Sequence, residues 1–412
     1  MEIRAAPEVL EPAAPFAALV FEPLVRLDAA GAPQPCLALS WQHDASAKRW
    51  QFQLRQGVKF HDGFLLVPAA VATSLAAAFP GVSISAANDS VIFRADHPMP
   101  DLPLALAHGA PVFAHDAEGG FVGTGPFRLA AWEPGRRARF TTYDDYWGAR
   151  PFLDAVDVQL GRALQDQLVD LELGKTDVAE IGPAELRRGS DRGRTVWASA
   201  PDELIALVFT PGHAEDARVR EALALALDRA AMHNVLLQKQ GEVSAALLPQ
   251  WLSGYAFAFP ATPDVARART LAAAVPAQMH ALALSFEASL PGGRALAERI
   301  AVNARDAGIT IRVTTDNSQA DVRLVEARLP ALDAARALAG LATALGLARP
   351  SAPNEVPYDD EKKLLEDFRV IPLFHLPDLY GATSRVHVYA PPAIGRLGEW
   401  HFENVWLNGG TP

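Results

Sequence analysis

Trp50, Phe52 and Leu54 alternate with Gln51, Gln53 and Arg55, a period of two that predicts a half-buried strand. Gly57 supplies a turn, Val58 and Phe60 restart the alternation, and Asp62-Gly63 closes the unit. Upstream, Ala17 to Leu27 predicts a short helix or strand that ends at the turn Asp28–Gly31. Pro68 opens an alanine-rich helix to about Phe79, since proline fits a first helical turn. Residues 82–95 alternate around Asn88-Asp89 and predict a hairpin, and Gly125–Trp132 pairs with Arg137–Thr142 across the turn Pro134-Gly135.

The texture changes in the middle of the chain. Leu164–Leu173 reads as helix, Asp177–Ile181 as a short strand, and the apolar run Leu204–Phe209 as a buried strand. Asp216 caps a predicted long helix whose stripe is Val219, Leu223, Leu227, Ala231 and Val235. Then strand (Ala281–Phe286), helix (Arg294–Ala307), strand (Thr310–Thr314), strand (Val322–Val325) and helix (Leu332–Leu347) follow, an α/β order with crossovers. Val370–Phe374, Leu379–Ala390 and Glu399–Leu407 are β-rich again. β-rich ends around an α/β middle predict two lobes: 1–207 with 376–412, and 208–375. The crossing strands are expected near Leu207–Thr210 and Leu373–Leu376.

A length of 412 residues fits two or three domains, and 50% apolar with 21% charged residues is a globular balance. The formal charge is 37 − 48 = −11, which disfavours nucleic acid as a partner. The longest apolar run, Ala337–Ala348, is twelve residues, short of the roughly 18 a membrane span needs. A single cysteine, Cys36, excludes an internal disulfide and any Cys-cluster metal site.

Candidate chemistry is sparse. Gly123-x-Gly125 continues with Pro126-Phe127-Arg128 and completes no nucleotide loop, so it reads as a tight turn before a strand. The histidines form no HExxH; His108 and His115 lie seven apart on a Pro/Gly-rich stretch and make a poor zinc pair. His61-Asp62 reads as a turn that caps its own backbone. No serine sits in a G-x-S-x-G elbow and Cys36 has no neighbouring base, so no enzyme activity and no cofactor are expected. Asp228-Arg229 reads as a structural pair on a helix. Trp132, Trp251 and Tyr255 are core candidates first, although Trp251 and Tyr255 lie in a loop-like stretch where aromatics stack on ligands.

Several segments, taken together, resemble the family-5 extracellular solute-binding proteins, the dipeptide-, oligopeptide- and nickel-binding subunits of ABC importers. The first is Leu39-Ser40-Trp41 with Trp50–Gly63. Gly123-Thr124-Gly125-Pro126-Phe127 is similar to the family's GTGPY, and Tyr146-Trp147-Gly148 with Pro151 and Asp154 to its YWG run. Leu173–Asp177, Val219–Leu223, Ala226–Arg229 and Ile371–His375 follow in the family's order. The resemblance implies a two-lobed α/β periplasmic-binding-protein-like fold (class II, peptide-binding type) with a hinge and an inter-lobe cleft. It implies a small-molecule or short-peptide ligand, an ABC permease as partner, a monomer, and a periplasmic or extracellular location, free or lipid-anchored. Met1–Arg4 show no basic leader followed by an apolar stretch, which leaves a trimmed leader and a cytosolic chain both open. A ligand-sensing domain of a cytosolic transcriptional regulator is the alternative; the family-like residues start too early for a helix-turn-helix before them.

The departures bear on specificity. Only 47 residues separate Leu75 from Gly123, where peptide-binding members carry a larger domain. The family's "FN" is Phe209-Thr210, and its Trp and acidic loop are replaced by Glu326-Ala327-Arg328-Leu329-Pro330. By resemblance the Glu11–Phe16 segment lines the cleft floor. The expected ligand-binding residues are therefore Ala13, Ala14, Thr210, Trp251 and Glu326, a mostly neutral surface with one carboxylate, suited to a ligand with a positive or neutral group facing Glu326.

Overall fold

In the computed structural model the alternation at Trp50, Phe52 and Leu54 forms the strand Arg49–Leu54, and all three side chains are buried. The structure describes residues 15–28, 30–107, 110–115, 120–186, 194–287, 290–348, 357–390, 392–396 and 398–408. Ala13, Ala14 and His108 lie outside them. Contacts along the chain define two units, 1–179 with 382–412, and 180–381.

In the first unit an antiparallel sheet runs Ala38–His43, Arg49–Leu54, Ser90–Arg94, Ser83–Ala87. Its inner face, with Phe52, Val91 and Phe93, packs on Val71 and Leu75 of the helix Pro68–Leu75. That helix stops short of Phe79, and Pro80 disfavours helical backbone at the residue before it. The hairpin turns at Asn88, which takes a left-handed conformation (φ 50°) of the kind asparagine tolerates. A second sheet joins Phe127–Glu133, Arg137–Thr142 and Ala155–Gln159. The short helix or strand expected at Ala17–Leu27 is a succession of short pieces: a 3₁₀ turn Pro15–Leu19, then the strands Glu22–Pro23 and Val25–Leu27.

The second unit holds a six-stranded sheet in the order Glu242–Val243, Val370–Leu376, Glu203–Phe209, Val322–Arg328, Ala281–Phe286, Thr310–Thr314. The last two pair in parallel, as a crossover helix requires. Glu203–Phe209 is apolar on both faces because both are covered. Ile205, Leu207 and Phe209 face a core with the helices Ala217–Ala226 and Gly293–Asp306; Leu204, Ala206 and Val208 face one with Leu338 and Leu341 of the helix Ala334–Ala344.

Three expectations are corrected by the structure. The long helix from Asp216 is two helices, Ala217–Ala226 and Arg229–Val235: Leu227 leaves helical backbone (ψ 114°) and Asp228 caps the second, accepting from the Ala231 N–H at 2.9 Å. The chain passes between the units at 179/180 and 381/382. Of the segments expected as crossing strands, Leu207–Thr210 and Leu373–Leu376, residues 207–209 and 373–376 instead belong to adjacent paired strands inside the second unit, with Leu207 opposite Ile371. The segment at Trp251 is not a loop but a short helix, Gln250–Ser253, ended by Gly254 in the left-handed conformation (φ 72°).

Candidate functional site

Glu22 is the acidic residue inside the largely apolar stretch Ala17–Leu27, on a two-residue strand paired with Pro111–Val112. It is 6% exposed and collects donors from three segments. The Tyr146 hydroxyl donates to its Oε1 at 2.8 Å, the Trp147 Nε1–H to Oε2 at 2.7 Å, and the Thr124 hydroxyl to Oε2 at 2.9 Å. The Cys36 thiol lies 3.9 Å from Oε1. Two motifs singled out in the sequence, Gly123-Thr124-Gly125 and Tyr146-Trp147-Gly148, thus meet on one carboxyl. Burial pushes Glu22 up to about 7, against the pull of those donors and with help from the Glu403 charge.

The glycines flanking Thr124 have a steric reason. A Cβ on Gly123 would lie 1.9 Å from the Val20 carbonyl oxygen, and one on Gly125 2.6 Å from that of Leu19. Gly125 N–H donates to the Val20 carbonyl at 2.9 Å, so this segment clamps the chain just before Glu22. His61 belongs to the same clamp: its Nε2 bonds the Gly125 carbonyl at 2.9 Å, and burial lowers its pKa to about 4. Asp62 caps its turn through the Phe64 N–H at 3.1 Å, as expected from sequence.

A cavity of about 110 Å³ opens beside Glu22 within the first unit. Its lining includes Arg26, Cys36 and Tyr146 together with Arg396, Glu399 and His401 from the returning C-terminal segment. That segment is a tight turn: Ile394 bridges Trp400, and the Gly395 N–H donates to the Glu399 carbonyl at 2.7 Å. Gly395 is required there, because a Cβ would sit 2.4 Å from Glu399 Oε2 and 2.9 Å from His401 Nε2.

The expected site residues that are described lie in the second unit. Glu326 is exposed, on the strand Val322–Arg328, in register with Ile205. It belongs to a carboxylate cluster around Arg328, whose guanidinium donates to Asp378 through both nitrogens (2.7 and 2.9 Å), to Asp202 at 3.3 Å and to Glu203. Burial, then the Glu326 and Asp378 charges, raise Glu203 to about 9, so near neutrality it holds a proton within hydrogen-bond reach of Glu326. Burial alone would lower the Arg328 pKa; Asp378, through its hydrogen bonds and charge, and then Asp202 outweigh it and hold the guanidinium charged.

Thr210 and Trp251 are engaged otherwise. The Thr210 hydroxyl donates to the Ala320 carbonyl at 2.7 Å, closing the end of its strand. Trp251 is half-buried against the core around Leu204 and Leu338, and its Nε1–H donates to the Pro201 carbonyl at 2.8 Å. Asp228-Arg229 is structural as read: Arg229 is 4% exposed and donates to the Pro372 carbonyl at 3.0 Å. Trp132 is buried in the core. Sequence reasoning missed Glu22 and Arg26. The available signal was a carboxylate and a guanidinium set into the stretch Phe21–Leu27.

The model of the bacterial extracellular solute-binding proteins, family 5, middle region, matches residues 32–337. Among curated proteins, the chain is 25% identical over 249 residues to the "Probable D,D-dipeptide-binding periplasmic protein DdpA" of Escherichia coli K12, covering 53% of this chain and 48% of that one. It is 26% identical over 257 residues to the nickel-binding periplasmic protein of the same organism, covering 54% and 49%. The alignments thus span about half the length of these relatives. Among solved structures it is similar to NikA from Brucella suis in complex with Fe(III)-EDTA (TM-score 0.75, 22% identity, 97% of this chain and 98% of that one). It is also similar to the dipeptide-binding protein from Pseudoalteromonas sp. SM9913 in complex with Met-Leu (TM-score 0.76, 17% identity, 95% and 94%). At these identities the likeness is one of fold, the α/β periplasmic-binding fold of the peptide and nickel type.

Proposed function

Since this chain belongs to family 5 of the bacterial extracellular solute-binding proteins, we propose that it captures a small organic or short-peptide solute outside the cytoplasmic membrane and delivers it to the permease of an ABC importer. Capture needs no covalent step. The solute is held by complementary charge and hydrogen bonds, and release follows from a change in protein conformation. Among the described residues no helix is long and apolar enough to cross a membrane, in keeping with a subunit that works alongside a separate permease.

The observation that carries this reading is the convergence of the Gly-Thr-Gly and Tyr-Trp-Gly segments on Glu22 at the wall of a cavity with charged side chains. In the second unit, Glu326 is the proposed ligand contact. With Glu203 protonated, Asp202, Asp378 and Glu326 leave three carboxylates to the one guanidinium of Arg328, a surface that favours a positive or neutral group. Trp251, bonded to the Pro201 carbonyl next to Asp202, is proposed as a support of that surface, with part of the indole left accessible; Thr210 closes the opposite end of the strand Glu203–Phe209 and takes no part in it.

A thermal-shift screen of small organic solutes, di- and tripeptides, longer peptides and nickel salts tests this. A small or short-peptide solute is expected to raise the melting temperature, and Glu326→Gln to weaken the response. Stabilisation by nickel or long peptides alone would overturn the ligand class proposed, and no response to any solute would overturn the transport reading.

A further inference from the structure

His375 lies fully buried on the strand Val370–Leu376, between Glu242–Val243 and Glu203–Phe209 in the sheet of the second unit. Its Nε2 is 2.9 Å from the Leu247 carbonyl oxygen. A carbonyl only accepts, so the neutral ring carries its proton on Nε2 and leaves Nδ1 bare. Among the described residues that buried Nδ1 makes no hydrogen bond. Glu242 stands opposite His375 in register, with its Oε1 3.7 Å from Nδ1, too far for a bond. Gly241 lets the chain run this close, since a Cβ there would lie 2.0 Å from the His375 carbonyl oxygen.

The same Oε1 is engaged elsewhere. It accepts the Gln250 N–H at 2.8 Å and fixes the start of the helix Gln250–Ser253. Glu242 therefore has one bond made and a second that lacks only a proton. On Nδ1 the proton gives an imidazolium that donates to the carboxylate; on Oε1 it gives a carboxyl that donates to the bare nitrogen. Closing the gap to hydrogen-bond length takes roughly 0.8 Å of movement, and an oxygen so engaged is a poorer acceptor for Gln250. Burial holds His375 down to about 4 and raises Glu242, which brings the two within reach of one shared proton in mild acid.

The other ionisable groups on the packed elements are committed. Arg229 donates to the Pro372 carbonyl at 3.0 Å, and His233 bonds the Gln240 carbonyl at 3.0 Å. Glu361 accepts from the Leu247 and Leu248 N–H groups and from the Tyr255 hydroxyl, with Asp360 adding its charge at Tyr255. A carboxyl keeps an acceptor oxygen in either protonation state, so Glu361 holds the Leu247 end of this segment throughout. Only the Gln250 end depends on Glu242.

We propose that Glu242 and His375 form a proton-operated latch. Near neutrality Glu242 holds Gln250; in acid one proton turns Glu242 to His375 and frees the start of that helix. Trp251, whose indole bonds the Pro201 carbonyl next to Asp202, then loses its support. Resting on the reading of this chain as a solute-binding protein, the latch regulates the surface proposed for the solute and weakens its hold in acid.

Hydrogen exchange of single backbone amides tests the latch, followed by NMR on the solute-free full chain at pH 7 and pH 4.5 and corrected for the intrinsic rate at each pH. Gln250 should be protected at pH 7 and lose at least about tenfold of that protection at pH 4.5, while the amides of Glu203–Phe209 keep theirs. Glu242→Gln still accepts from Gln250 but takes up no proton, and should keep Gln250 protected at both. Glu242→Ala should leave Gln250 unprotected already at pH 7. Unchanged protection in the parent at pH 4.5, an acid loss that persists in Glu242→Gln, or protection that survives in Glu242→Ala overturns the latch. An acid loss that extends to Glu203–Phe209 overturns it as well. No solute is present in this experiment, so its failure is separate from that of the thermal-shift screen, which alone decides the transport reading.

Discussion

Glu22 accepts from three side-chain donors, and its buried position still keeps its proton affinity high. The consequence for stability has a definite sign. Its pKa in the folded protein, about 7, lies above the ordinary 4.5, so the folded state binds the proton more tightly. Stability from this group is fully present below pH 4.5 and is lost as pH rises through 7. The whole effect is about 3 kcal/mol. Glu203, raised to about 9, acts in the same direction over a wider window that ends higher. Urea unfolding of the parent at pH 5, 7 and 9 should therefore show declining stability. Glu22→Gln should lessen the decline between pH 5 and 7 only, whereas Glu203→Gln should lessen it throughout and remove the part from 7 to 9. Parallel profiles for parent and variants would show that neither carboxyl changes its proton affinity on folding. In Glu22→Gln the new amide also faces donors it is unable to accept from fully, which costs about 1–3 kcal/mol at every pH.

Among the elements, those set by a local repeat were legible in advance. Ala281–Phe286 and Thr310–Thr314 fall where the apolar pattern puts them, because each strand's burial is written in its own residues. The break in the helix after Asp216 was not, since Val219 to Val235 keeps its stripe on both sides and only the cap at Asp228 marks the division. Removing that cap with Asp228→Ala should cost about 0.5–2 kcal/mol, read by denaturant unfolding. The candidate site was legible only in fragments. Thr124, Tyr146 and Trp147 were noticed as family-like segments, but their shared partner Glu22 lies more than a hundred residues away and no spacing announces it. The glycines of the clamp offer a sharper test. Gly123→Ala would drive a methyl into the Val20 carbonyl, where backbone has to move. Gly57→Ala has open space and bears only the strain of a positive φ (78°). We expect Gly123→Ala to lose clearly more stability, by about 2 kcal/mol or more, and to weaken whatever solute the cavity holds. Equal losses in the two variants would mean that the clamp is not tight.

For the whole molecule, the sequence texture identified two bodies but misplaced their limits. The strand Glu203–Phe209 stands next to Val370–Leu376, and both were read as crossing points because composition changes there; pairing assigns both to the second unit. Composition reports where the covering of a strand changes. The passage from one body to the other is set by contacts, and these come from residues far apart in the chain. The assembly state follows from surface character in the same way. A net charge of −11 disfavours self-association at neutral pH. Among the exposed large apolar side chains of the described residues, Phe152 and Tyr389 pair with each other (ring centroids 5.9 Å), while Phe64 and Phe257 belong to different units, and none of these four lies on a helix long enough to carry a heptad stripe. We expect a monomer of 44.1 kDa by light scattering at micromolar concentration, with or without solute. A subunit that delivers cargo to a permease has to present its surface to that partner and not to a second copy. Raising the salt to 1 M shortens the screening length to about 3 Å, so it should release any association held off by charge alone. A dimer already present at low salt, at neutral pH and without solute, would count against the proposed role.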